Sequence, residues 1–226
     1  MIATLDRDPT RAVLARLHAA AAGDVWRFLW KAPTILAGLA RGRAMTEILT
    51  GDLMSDVYIN VSADVGRFLY LVARTLGARR VVEFGTSFGI STIYLAAGVR
   101  DAGGGEVIGT ELDPGKHRAA TDDIAAAGLD DVATVRLGDA RETLRDVAAP
   151  VDLLFLDGWK DLYLPVLELM TPKLRPRAVV LADNIHTFKS ALAPFVAHVR
   201  DGQRGFHSVT LAIGSGLEYA VRGDAS

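Results

Sequence analysis

Downstream of residue 62, apolar positions switch repeatedly between two spacings. Short β-branched or apolar runs at Arg80–Phe84, Glu106–Thr110, Val132–Leu137, Val151–Leu156 and Ala178–Ala182 predict strands, and stretches with helical spacing between them predict helices. The run VDLLFL at 151–156 is almost wholly apolar, as a strand buried on both faces should be. The helices carry their own punctuation. Ala63–Leu76 ends at Gly77, where a left-handed cap is favoured. Asp113-Pro114 offers an N-cap and a first-turn proline to a helix that runs to about Ala127 and stops at Gly128. Gly138-Asp139-Ala140 opens another, expected to reach about Val147, and further helices are expected to end near Val99 and Met170 and to span Phe188–Val199. Phe206–Ile213 and Leu217–Val221 are separated only by a Gly-Ser-Gly turn, a hairpin that makes one strand antiparallel. This alternation predicts an α/β fold: a doubly wound, seven-stranded, mostly parallel sheet with one antiparallel strand.

The first 60 residues differ. From Asp8 to about Thr50 they are Ala-, Leu- and Arg-rich with helical spacing, broken at Gly23, Pro33 and Gly42. Trp26 and Trp30 are one helical turn apart, so they share a face that packs on the core or closes over a pocket. GDLMSDVYINV, with Met54 and Tyr58, has the turn residues of a lid. The expected organisation is a single domain, with 1–60 as an N-terminal helical extension or lid and 61–226 as the ligand-binding part.

Composition narrows the function. Net charge is -2 with a pI near 6.2, and Lys and Arg are scattered, which argues against a nucleic-acid partner. With no Cys, disulfides, cysteine nucleophiles and thiolate metal sites are excluded. The opening MIATLDRDPT, with two Asp before any apolar run, is unlike a secretory leader, and the apolar stretch Ala32–Ala40 is too short to span a bilayer. A soluble cytoplasmic protein with no membrane partner is expected, with a small-molecule acceptor as its partner and a homodimer as an open assembly.

Acidic residues follow five strands in succession: Glu83, Glu111, Asp139, Asp157, and Asp183 with Asn184. Any one alone suits a helix N-cap. Five on one edge repel one another unless donors or a cation sit among them, which implies a ligand rich in donors or positive charge. The corner VVEFGTSFGIST (81–92) reads as strand, tight turn, helix, with Gly85 and Gly89 permitting close backbone approach and free amides favouring an anionic group. Glu111 lies 26 residues after Gly85, near the spacing at which an acid binds a ribose diol, so an adenosine-containing cofactor is expected. A dinucleotide fingerprint needs a second glycine where Ser87 stands. S-adenosylmethionine has no phosphate; its carboxylate suits the corner amides and its ammonium suits Glu83, so it is the favoured cofactor over NAD. The same corner also spells G-x-S-x-G, a nucleophile elbow at Ser87 with Asp157 or Asp183 and His186 or His207 in hydrolase order. No HGGG-like segment precedes it, and a hydrolase leaves Glu83, Glu111 and Asp139 unexplained.

Asp157, Asp183 and Asn184 offer two carboxylates and an amide oxygen, hard ligands suited to Mg2+ or another divalent cation such as Ca2+ or Mn2+. Lys160, three residues beyond Asp157, would sit beside that charge, and Trp159 is either core or a wall for the adenine.

LFLDGWKDLYLP and VVLADN, with EFGTSFGIST and TELDP upstream, resemble the cation-dependent O-methyltransferases, most of all the catechol O-methyltransferase type, over about Asn60 to the C-terminus. The resemblance implies a Rossmann-like methyltransferase fold that binds S-adenosylmethionine. By position, Asp157, Asp183 and Asn184 resemble the Mg2+ ligands, Lys160 the general base and Glu111 the ribose partner. Gly85, Ser87 and Ser91 would line the methionine end, and Asp139, Ala140 and Trp159 would surround the adenine. Gly158 stands where the catechol enzyme carries His, no Glu near Val209 matches the one that holds its second hydroxyl, and the N-terminal helices do not align. The acceptor therefore stays open among catechols, polyketide-like aromatics, sugar diols and amines, and a non-catalytic cofactor-binding scaffold is a further alternative.

Overall fold

The computed structural model describes residues 3–23, 37, 41 and 61–224. The expectations for Trp26, Trp30, Met54, Tyr58 and the lid lie outside the described residues. The elements are α1 (Thr10–Gly23), α2 (Ala63–Thr75), β1 (Arg80–Phe84), α3 (Ile90–Asp101), β2 (Glu106–Glu111), α4 (Pro114–Ala126), β3 (Ala133–Leu137), α5 (Ala140–Thr143), β4 (Val151–Leu156), α6 (Tyr163–Met170), β5 (Leu174–Ala182), α7 (Lys189–Arg200), β6 (Phe206–Leu211) and β7 (Leu217–Arg222).

Seven strands form one sheet in the order β3-β2-β1-β4-β5-β7-β6, parallel except for β7, which runs antiparallel to both neighbours. This is the doubly wound sheet that the strand–helix alternation predicts. Alternate residues of the central strands serve opposite layers. Val81, Leu153, Phe155 and Leu181 pack on the side of α1 to α4, while Val82, Leu154, Leu156 and Val180 pack on the side of α5, α6 and α7. Ser62 caps α2, its hydroxyl accepting from the Val65 amide at 3.2 Å, and Val65, Leu69 and Ala73 form the buried stripe of that helix. α3 is buried from Ile90 to Val99 because α2 covers its outer face. α1 is held to the same layer: Thr10 Oγ1 donates to the Ala127 carbonyl at 2.9 Å, and His18 Nε2 lies 3.1 Å from the Tyr94 hydroxyl. Among the described residues no helix is long and apolar enough to cross a membrane.

Two elements depart from the expected bounds. The helix after Asp139 ends at Thr143, not near Val147, because the Arg136 guanidinium takes the Thr143 carbonyl and the Asp146 carboxylate and turns the chain. β5 starts at Leu174, ahead of Pro176. The register against β4 shifts between Val151 and Leu153, and Arg177 adopts φ +61°, so the proline sits in an irregularity where no ladder amide is needed.

Strand order reverses between β1 and β4, and in such sheets ligands bind beyond the carboxyl ends of the strands at that reversal. The registers bring those ends level: Phe84 pairs with Thr110 and Leu156, Glu111 with Leu137, and Leu156 with Ala182. Gly85, Asp157 and Asp183 therefore leave the sheet on one rim.

Candidate active site

At the β1 corner Glu83 is wholly buried. Its Oε2 accepts from Thr86 Oγ1 at 3.0 Å and from the Thr92 hydroxyl. Burial outweighs these donors and raises its pKa, and Oε1 has no partner among the described residues. Gly85 has φ +94°, and a Cβ there would come within 2.5 Å of the Gly158 backbone, so only glycine lets the ends of β1 and β4 touch. Ser87 adopts φ +50°, and its buried Oγ has no partner among the described residues. Neither His186 nor His207 bonds to it, so no hydrolase triad is assembled on Ser87. The Ser87 amide instead donates to Glu111 Oε2 at 2.8 Å, and the Leu112 and Asp113 amides donate to Glu111 Oε1 at 2.8 and 2.9 Å.

Asp139 serves as a helix cap, accepting from the Arg141 amide at 2.8 Å and pairing with the Arg141 guanidinium at 2.6 Å, which holds its carboxyl below its ordinary pKa. Ala140 beside it is buried, whereas Trp159 is 39% exposed.

The densest chemistry lies where β4 and β5 end. The Asp157 amide continues the ladder to the Phe84 carbonyl and the Asp183 amide to the Leu156 carbonyl, so both side chains start from fixed strand ends. Lys160 Nζ lies 3.3 Å from Asp157 Oδ1 and donates to the Tyr163 hydroxyl at 2.8 Å; the Lys160 and Asp157 side chains are 10% and 9% exposed. Burial, opposed by Lys160 and reinforced by Asp183, pushes the Asp157 carboxyl up to about 7. Burial likewise raises Asp183, against the Asn184 amide and Lys160. The rings of Tyr163 and Phe188 lie 5.0 and 5.5 Å from Nζ. Asn184 adopts φ +68°, and its buried Oδ1 has no partner among the described residues.

Two buried carboxylates that disfavour each other's ionisation, beside an amide oxygen that has no donor among the described residues, form a set of hard oxygens that fits a divalent cation. Among the described residues no group of three or more His, Cys, Asp and Glu side chains could hold a metal, so the donor set rests on Asn184 together with the two carboxylates.

Sequence reasoning missed Tyr163. It is fully buried, accepts from Lys160 and donates to the Asp183 carbonyl at 3.2 Å; burial, with the charges of Asp157 and Asp183, pushes its hydroxyl well above the ordinary pKa. The signal available was spacing, since Asp157, Lys160 and Tyr163 follow one another at intervals of three.

Comparison with known proteins bears on this geometry. Residues 82–185 match the family described as a methyltransferase domain. The catechol O-methyltransferase of Mycobacterium tuberculosis is 38% identical over 128 residues, which cover 56% of this chain and 57% of that protein. The catechol O-methyltransferase of Niastella koreensis is 33% identical over 131 residues, covering 56% of this chain and 58% of that protein. The chain thus spans a little over half the length of these curated relatives. The crystal structure of an O-methyltransferase from Bacillus cereus in complex with SAH superposes with a TM-score of 0.68 at 26% identity, covering 76% of this chain and 86% of that one. The sequence likeness over residues 82–185, which span β1 to β5, and the fold shared with an O-methyltransferase of known structure point the same way: this part of the chain is similar to a methyltransferase domain.

Proposed function

We propose that the protein transfers a methyl group from S-adenosylmethionine to a hydroxyl of a small catechol-like or vicinal-diol acceptor, with a divalent cation, Mg2+ foremost, beside the acceptor and Lys160 as base. The observation that carries this is the placement of Lys160 Nζ against Asp157 on the rim where Asp183 also stands, with Asn184 Oδ1, which has no partner among the described residues. The catechol acceptor is suggested by the names of the relatives.

When bound, S-adenosylmethionine supplies an activated methyl and the cation lowers the pKa of a hydroxyl beside it. Asp157, Asp183 and Asn184 would hold the cation through two carboxylates and an amide oxygen. A phenol has a pKa of about 10, so presenting its oxyanion at pH 7 costs about 4 kcal/mol. Lys160 contributes by taking that proton at Nζ, a group in a mostly buried position where solvent competes little. Gly85, Ser87, Ser91 and Glu83 would receive the methionine end, Glu111 the ribose, and Asp139, Ala140 and Trp159 the adenine. Holding acceptor and methyl in line is then the fold's main further contribution.

The test is methyl transfer to catechol followed by chromatography. Activity should vanish on exhaustive chelation with EDTA and return with Mg2+, and an undiminished rate after chelation would reject the cation. Lys160→Ala should lower kcat by about 100-fold while leaving cofactor affinity near the parental value. Parental kcat in that variant would remove Lys160 as base.

A further inference from the structure

Tyr163 has two properties that a core ring does not require. Its hydroxyl is hydrogen-bonded on both sides, and the two partners belong to different walls of the site. An ammonium can only donate, so the Tyr163 oxygen accepts from Lys160 Nζ at 2.8 Å, and the phenolic hydrogen goes to the Asp183 carbonyl at 3.2 Å. The ring itself cannot wander. It is fully buried, edge-on to Phe84 with centroids 6.3 Å apart and edge-on to Phe195 at 5.7 Å. Lys160, by contrast, hangs on a flexible four-carbon stem, and its ion pair with Asp157 Oδ1 is longer at 3.3 Å.

We infer that Tyr163 is a positioning residue whose hydroxyl fixes the Lys160 ammonium to the end of β5, setting the base in register with Asp183 and Asn184. This rests on the proposed role of Lys160. As the neutral amine that can act as base, Nζ keeps its two hydrogens on Asp157 and Tyr163, which leaves its lone pair in the one remaining direction to take the proton of the acceptor hydroxyl. Loss of the Tyr163 oxygen frees Nζ to relax onto Asp157 alone.

Tyr163→Phe removes one oxygen and keeps the ring, and Lys160→Met keeps the stem without the charge. The two variants and their combination, made in the full chain, form a cycle assayed with S-adenosylmethionine, Mg2+ and catechol. Tyr163→Phe should lower kcat about tenfold with the KM for S-adenosylmethionine within about twofold of the parent, and should cost nothing further in the Lys160→Met background. Parental kcat in Tyr163→Phe, or the same fractional loss in both backgrounds, assigns Tyr163 a merely structural role and overturns the inference. A second measurement needs no acceptor: acetylation of Lys160 by a sulfosuccinimidyl ester, read by peptide mass spectrometry against the exposed Lys189. In Tyr163→Phe the Lys160 to Lys189 ratio should rise several-fold, and an unchanged ratio overturns the anchoring. Faster acetylation together with parental kcat in Lys160→Met would sink the base role and leave the anchoring standing, so the two failures are separable.

Discussion

A single methyl group at Gly158 tests whether the ends of β1 and β4 meet as closely as the structure shows. A Cβ there would stand 2.5, 2.6 and 2.8 Å from three carbons of the Phe84 ring. Comfortable carbon contacts lie at about 3.5 to 4.0 Å, so Gly158→Ala forces about 1 Å of overlap on three atoms at once. Neither side yields easily. Phe84 is 6% exposed and stands edge-on to Tyr163, while the Gly158 backbone is already pressed against Gly85. Overpacking of this kind costs about 1 to 3 kcal/mol. For a domain of this size each kcal/mol moves the melting temperature by about 2 to 4 °C, so a fall of about 2 to 12 °C is expected in thermal unfolding followed by circular dichroism. The ring is the specific obstacle, and Phe84→Leu should relieve it: Gly158→Ala should lose less than half as much in that background as in the parent. A melting temperature unchanged by Gly158→Ala, or an equal loss in both backgrounds, would refute the close contact.

Two further outcomes are expected. Glu218 is wholly buried opposite Ala182 and accepts from Arg200 Nε at 2.9 Å, from Ser208 Oγ at 2.8 Å and from Thr210. Burial pushes its carboxyl up, but Arg200 and the two hydroxyls outweigh burial and hold it below its ordinary value of 4.5. A carboxyl depressed in the folded state contributes stability that is fully present above pH 4.5 and is lost as pH falls through the folded value. Glu218→Gln should therefore be about 2 kcal/mol less stable to urea at pH 7 and lose stability less steeply in acid; parallel acid limbs for variant and parent would disprove the pairing. Trp159→Ala removes a half-exposed ring that the core does not need, so the melting temperature should hold while the dissociation constant for S-adenosylmethionine rises about tenfold by calorimetry, or about 1.4 kcal/mol. Parental affinity would take Trp159 out of the cofactor wall.

The sheet was legible because its signals are local. Arg80–Phe84 and Val151–Leu156 are bounded by turn residues on both sides, and the structure places those strands at the same residues. Asp113-Pro114 announces α4 because a capping carboxylate and a proline act within one turn. The failures arose where distant side chains decide. Nothing near Thr143 says that Arg136, seven residues earlier, will take its carbonyl and end α5. Pro176 reads as a strand breaker until the irregular register against β4 shows that its missing amide has no consequence. The acids of the site were legible as a row after strands, yet their individual surroundings were not: Asp139 is committed to its own helix start and Arg141, while Asp157 and Asp183 are buried beside Lys160. Tyr163 was invisible for a related reason. In YLPVLELM an aromatic reads as core filling, and only the folded chain places its oxygen between Lys160 and the Asp183 carbonyl.

The three amides gathered on Glu111 carry one more implication. A carboxylate offers about four lone-pair directions, and Ser87, Leu112 and Asp113 occupy three of them, which stops the side chain from rotating before anything arrives. Immobilising a glutamate costs about 1.5 kcal/mol of rotamer freedom, a cost met when the chain folds and not when a guest docks. On the proposed role of Glu111, an incoming sugar hydroxyl would meet a stationary acceptor with a single open direction; the same clamp laces the tip of β2 to the turn after β1, so neither can drift without the other.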